Sequence, residues 1–127
     1  MSEIIVSVKL RNDAVRDVPP LCVDALVDTG ATRILLPNVW RKRLGDFPRT
    51  RRAVAHSISH TLDALICSPA QVEIAGFPEV DAEVAFTQME PHNGAYQPVL
   101  GHLFLQTCGA VVDMKTHTLR CAPVNRV

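Results

Sequence analysis

One carboxylate of this chain stands where acid–base chemistry is possible. In Ala25-Leu26-Val27-Asp28-Thr29-Gly30-Ala31-Thr32, Asp28 follows directly on an apolar run and opens a tight turn of small residues. A charge leaving an apolar strand is costly unless it is hydrogen-bonded or shared. Gly30 has no Cβ, so its N–H can approach the Asp28 oxygens, and Ala31 continues the small-residue path. The Thr29 hydroxyl both donates and accepts, which suits it to brace the turn against a neighbouring strand or chain. An ordinary strand-to-turn junction uses the same residue types, so the rest of the chain decides between the two.

Other reactive side chains do not gather in the sequence. Cys22, Cys67, Cys108 and Cys121 include no C-x-x-C pair, and His56, His60, His92, His102 and His117 are equally scattered, so no metal site is expected. Cys22 and Cys67 lie in apolar contexts and are expected as small buried hydrophobes. Arg41, Lys42, Arg43, Arg49, Arg51 and Arg52 form a basic cluster opposed only by Asp46. It reads first as a solvated helix face and loop, and second as a contact for anions, nucleic acid or acidic substrates. Trp40 and Phe47 are the only aromatics near it, and Trp40 is expected to pack the short helix against the barrel.

The elements that must hold Asp28 are short strands. At 127 residues the chain is one domain, 1–127. Its 47% apolar and 20% charged residues argue against disorder. Apolar runs are too short for a membrane helix. Lys+Arg and Asp+Glu balance at 13 each, leaving no global field for nucleic acid or an anionic membrane, and neither is expected as a partner. Met1 to Leu10 carries Glu3 and alternates polar with apolar residues, unlike a signal peptide. A cytoplasmic protein with reduced thiols is expected. Alternation at 3–10 and short runs punctuated by turns predict strands at 3–10, 21–27, 34–36, 51–58, 61–67, 70–74, 80–86, 99–100, 110–113 and 118–122. Short helices are predicted at 37–45, closed by Gly45, and at 101–107, closed by Gly109, with an irregular stretch at 88–97. The fold class is a mainly β barrel or sandwich.

Three segments carry a resemblance to the single-domain, retropepsin-like aspartic proteases of cellular and bacterial type. Asp28-Thr29-Gly30-Ala31 is similar to their active-site motif. Pro98-Val99-Leu100-Gly101, leading into His102-Leu103-Phe104-Leu105, resembles the apolar-apolar-Gly signature that opens their late helix. Ala110-Val111-Val112-Asp113-Met114-Lys115-Thr116 resembles their closing hairpin. Order and spacing agree over about residues 3–122, which implies a closed acid-protease β-barrel.

The resemblance implies an aspartic endopeptidase, a hydrolase with no metal or organic cofactor acting on peptide or protein substrates. Two carboxylates must share one proton in this chemistry, one acting as base towards water and the other donating to the scissile carbonyl. The chain has one Asp-Thr-Gly; Asp24 and Asp63 lack that context, and Asp113 matches a strand end. A homodimer is therefore implied, with Asp28 from each subunit at a two-fold axis. Thr29 would brace the two turns, Gly30 N–H would bind carboxylate oxygen, Ala31 would support the active-site turn and Gly101 would pack beneath. By position the substrate-covering flap would span 53–62, with His56-Ser57-Ile58-Ser59-His60 at a tip that lacks the usual glycine. These histidines are expected as exposed loop residues, with a pH-responsive lid as the alternative. Viral relatives pair an aspartate after Asp-Thr-Gly-Ala with an arginine after the later glycine, and Thr32 and His102 stand there instead. Losing both halves leaves no unpaired charge. The competing implication is a catalytically inactive dimeric peptide-binding domain of the same fold.

Overall fold

The computed structural model describes residues 3–56 and 61–121. Among these residues, nine strands and two short α-helices follow in chain order. They are β1 (Ile5–Arg11), β2 (Leu21–Val27), β3 (Ile34–Pro37), α1 (Arg41–Leu44), β4 (Arg49–His56), β5 (Thr61–Ile74), β6 (Val80–Thr87), β7 (Val99–Leu100), α2 (His102–Thr107), β8 (Ala110–Asp113) and β9 (Thr118–Cys121). A single 3-10 turn, Asn38–Trp40, leads into α1. The helix predicted at 37–45 is thus split between two geometries.

Strand order in the main sheet is β1-β2-β7-β3-β6-β5-β4, and β1 also pairs with β5. That extra pairing closes β1-β2-β7-β3-β6-β5 into a six-stranded barrel and leaves β4 as a hairpin arm on β5. Among the described residues, closure leaves the main sheet an open edge at β4. β2–β7 and β3–β6 run parallel, whereas the other barrel pairs are antiparallel. β8 and β9 form a separate two-stranded sheet.

β5 replaces the two strands predicted at 61–67 and 70–74. It runs through Ser68-Pro69 with a register shift between Cys67 and Ala70. A bulge accommodates a proline that has no N–H for the ladder. The shift lets one strand pair with β4 and β6 early and with β1 late.

Alternation along the strands fills the barrel. Val8, Leu10, Ala25, Ile34, Leu36, Cys67, Val72, Val84, Phe86 and Leu100 point inward and are buried, joined by Phe104 and Leu105 of α2. Each large apolar side chain buried in this way contributes roughly 1.5–3 kcal/mol. A second cluster lies on the outer face of the same strands, where Leu35, Ala55, Ala64, Ile66 and Ala85 are buried against Ala53, Met89 and Val99. It seats the β4–β5 hairpin on the barrel wall.

Trp40 is half-buried against the core and meets Tyr96 edge-on at 5.9 Å, so α1 and the irregular 88–97 stretch are packed together. Cys22 departs from expectation and is exposed. β2 turns Leu21 and Ala25 inward, which sends Cys22 and Asp24 to the outer face whatever their neighbours' polarity. No helix among the described residues is long and apolar enough to cross a membrane.

Candidate active site

Asp28 is positioned by the parallel pairing of β2 with β7. Leu26 N donates to Pro98 O at 2.9 Å, Val27 N to Ile4 O at 2.9 Å and Asp28 N to Leu100 O at 3.0 Å. The backbone of Asp28 therefore belongs to the barrel, and its side chain leads into the turn. Gly30 N donates to Asp28 Oδ1 at 2.9 Å, and Ala31 N donates to Asp28 O at 3.1 Å. One oxygen of the carboxylate is held by a main-chain donor while the residue stays half-exposed; Thr29 and Gly30 are exposed and Ala31 is fully buried.

The turn and α2 support each other. No side chain caps α2. His102 N donates instead to Ala31 O at 2.9 Å, and Leu103 N to Thr32 O at 3.1 Å. Two N–H groups that a helix start leaves without partners are thus satisfied by carbonyls of the Asp28 turn. The His102 ring adds a contact from Nδ1 to Ala31 O at 3.0 Å, which as a hydrogen bond places the proton on Nδ1. So His102 reaches the turn backbone, not the Thr32 side chain.

Gly101 makes this approach possible. A Cβ there would lie 2.5 Å from Arg33 O, 2.6 Å from Arg33 N and 2.6 Å from Thr32 C. All three are backbone atoms, so the requirement is for space. Gly101 itself has φ −87° and ψ 173°, ordinary extended values.

The sequence-predicted residues fall into two groups. Asp28, Thr29, Gly30, Ala31 and Gly101 are brought together by the contacts above. Of the candidate flap residues, the His56 side chain, Ser57, Ile58, Ser59 and His60 lie outside the described residues, and only the hairpin arms of β4 and β5 are seen below them. Other carboxylates are engaged elsewhere. Asp24 accepts from Ser7 Oγ at 2.9 Å, and Asp113 Oδ1 accepts from Lys115 N at 2.9 Å and Thr116 N at 3.3 Å, holding the β8–β9 turn. Those backbone bonds hold the Asp113 carboxyl below its usual range. Among the described residues, no three His, Cys, Asp or Glu side chains are grouped to hold a metal ion.

Two exposed apolar side chains flank the turn. Ile5 pairs in register with Leu26 and is 50% exposed, and Leu103, at the start of α2, is 44% exposed.

A charge cluster missed in the sequence joins β4, β6 and the bend that precedes β3. Arg33 Nε donates to Glu83 Oε1 at 3.2 Å, and Arg51 Nη2 reaches Glu83 Oε2 at 3.2 Å. The parallel register Ile34↔Val84 sets Arg33 beside Glu83, and Arg51 arrives from the hairpin arm. Fifty residues separate Arg33 from Glu83, and no local pattern connects them. Neither a protein-family model nor a curated protein matches this chain.

Proposed function

We propose that the chain is a retropepsin-like aspartic endopeptidase whose active form is a homodimer, each subunit contributing Asp28. The carrying observation is the single Asp28 carboxylate, anchored to Gly30 N–H at 2.9 Å in a turn whose carbonyls cap α2. Such a carboxylate is rigid and half-exposed, ready to meet its symmetry mate. The exposed Ile5 and Leu103 beside it supply apolar surface for a second copy.

In the dimer the two Asp28 groups share one proton, because like charges at hydrogen-bond distance do not both ionise. The ionised Asp28 takes a proton from a bridging water as that water's oxygen bonds to the scissile carbonyl carbon. The protonated Asp28 gives its proton to the carbonyl oxygen, forming a neutral gem-diol. Breakdown transfers a proton to the departing amide nitrogen while a diol proton returns to a carboxylate, and the C–N bond breaks. Thr29, exposed on each turn, braces the pair; Ala31 and Gly101 keep the turn narrow. The β4–β5 hairpin covers the substrate. No metal or organic cofactor enters the reaction. A cytoplasmic setting agrees with the four free thiols.

Cleavage of a peptide library between about pH 4 and pH 7, by wild type and Asp28→Asn with oligomeric state recorded in the same buffers, tests this reading. Cleavage by a wild-type dimer and none by the variant is expected. Silence from a well-folded wild-type dimer would overturn catalysis and leave a dimeric peptide-binding domain.

A further inference from the structure

We propose that the arginines of β4, with Arg33, recognise acidic side chains of a peptide lying extended along the open edge of β4, and that the substrates are therefore acidic peptides. Among the described residues β4 is paired on one side only, to β5. Its other edge offers main-chain N–H and C=O groups to an extended chain.

Arg49, Thr50, Arg51 and Arg52 are consecutive and exposed on this edge. Arg49 and Arg51 line a groove of about 530 Å³ with Thr50, Ile66, Ser68 and Glu83. Arg52 and Arg41 line a second groove of about 230 Å³, together with Asp63. Only one carboxylate, Glu83, serves both Arg33 and Arg51, so the trio carries a net positive charge. Arg33 uses Nε alone and Arg51 uses Nη2 alone in those contacts, which leaves fork-shaped donor pairs for further carboxylates. Among the described residues Arg49 and Arg52 enter no ion pair.

Charged residues on a strand edge also deter edge-to-edge association. Here they surround grooves with the hydroxyls of Thr50 and Ser68 between them, an arrangement that deterrence does not require. A peptide fits this surface better than a nucleic acid. Trp40 is committed to Tyr96 and to Arg43, which lies 5.8 Å over its ring, and Phe47 is buried beside Phe86. Among the described residues no base-stacking platform remains near the arginines. Glu83 in their midst repels a continuous phosphate chain but leaves discrete places for single carboxylates.

The effect on turnover rests on the endopeptidase reading; binding does not. Fluorescence anisotropy of a Glu-containing peptide and its Gln counterpart on the Asp28→Asn protein is the test, at about 20 mM and about 150 mM salt. The Glu peptide is expected to bind about 3- to 10-fold tighter at low salt. That advantage should fall below about twofold in Arg49→Gln/Arg51→Gln, whose changes are at exposed positions, and fall only in part in Arg51→Lys, which keeps the charge and loses the fork. In the wild type, the same preference should appear in KM with kcat unchanged. Equal binding of the two peptides, or tighter binding of an oligothymidine of equal length, overturns the site. Acid-selective binding without hydrolysis keeps this site and removes the endopeptidase reading. Hydrolysis without acid selectivity removes the site alone.

Discussion

Gly101→Ala separates two opposed effects at the support of Asp28. With φ −87° and ψ 173°, Gly101 has a conformation any residue adopts. If backbone freedom were the whole account, alanine would stabilise the fold by about 0.4–1 kcal/mol through the unfolded chain. The packing demands the reverse. Its Cβ would fall 2.5–2.6 Å from backbone atoms of Thr32 and Arg33, far inside ordinary contact at 3.4 Å. The turn would have to retreat from α2 by most of an ångström. Overpacking of this kind costs about 1–3 kcal/mol. Weakening the bonds from His102 N to Ala31 O and Leu103 N to Thr32 O adds about 1 kcal/mol. Set against that gain, a net loss of about 1–3.5 kcal/mol is expected, or a Tm lower by roughly 4–13 °C for a domain of this size. Urea unfolding at one fixed protein concentration, followed by circular dichroism, measures it. Gly109→Ala is the control, because its φ is +72° with nothing within 4 Å of an added Cβ, so about 1–2 kcal/mol of conformational cost applies without a clash. A Gly101→Ala protein as stable as wild type, or more stable, would refute the close-approach account. On the endopeptidase reading proposed above, displacing the Asp28 turn should also lower peptide hydrolysis about 100-fold.

Three further outcomes follow from particular contacts. Asn12 is buried, donates to Leu44 O at 3.0 Å and Asp46 O at 2.9 Å, and accepts from Ala14 N at 3.1 Å, so Asn12→Ala should cost about 2–4 kcal/mol in urea unfolding by stranding those groups. Burial acts to raise the Glu83 pKa, but the hydrogen bonds and charges of Arg33 and Arg51 prevail and lower it; stability from this group is complete above its unfolded pKa and is lost as pH falls through the lower folded one, so Glu83→Gln should flatten the acid limb of a stability–pH curve. Thiol titration of the native protein should show fast reaction at Cys22 and Cys121 and slow reaction at Cys67 and Cys108, since the latter two are buried and burial pushes their pKa values up.

Much of this architecture is legible in local patterns. Period-2 alternation marks nearly every strand, because one face of each must enter the barrel while the other faces out. The apolar run into Asp28-Thr29-Gly30, the Val99-Leu100-Gly101 signal and the Gly109 helix end depend on neighbours a few residues apart, so spacing exposes them. Cys22 shows where that reading fails: its apolar surroundings suggest burial, but the phase of β2 turns it outward. Ser68-Pro69 resembles a break between strands until β1, β4 and β6 all pair with the same bent strand.

Contacts between distant segments were decided by registers that composition does not encode. Closure of the barrel through β1–β5, the capping of α2 by Ala31 and Thr32 carbonyls, and the meeting of Arg33, Glu83 and Arg51 each join segments far apart in the chain. Side-chain chemistry along the chain names Asp28 as a candidate acid or base. The direction in which its carboxylate is held, and the charges assembled beside the hairpin arm, are consequences of strand order and register, because those place backbone donors and distant arginines in space.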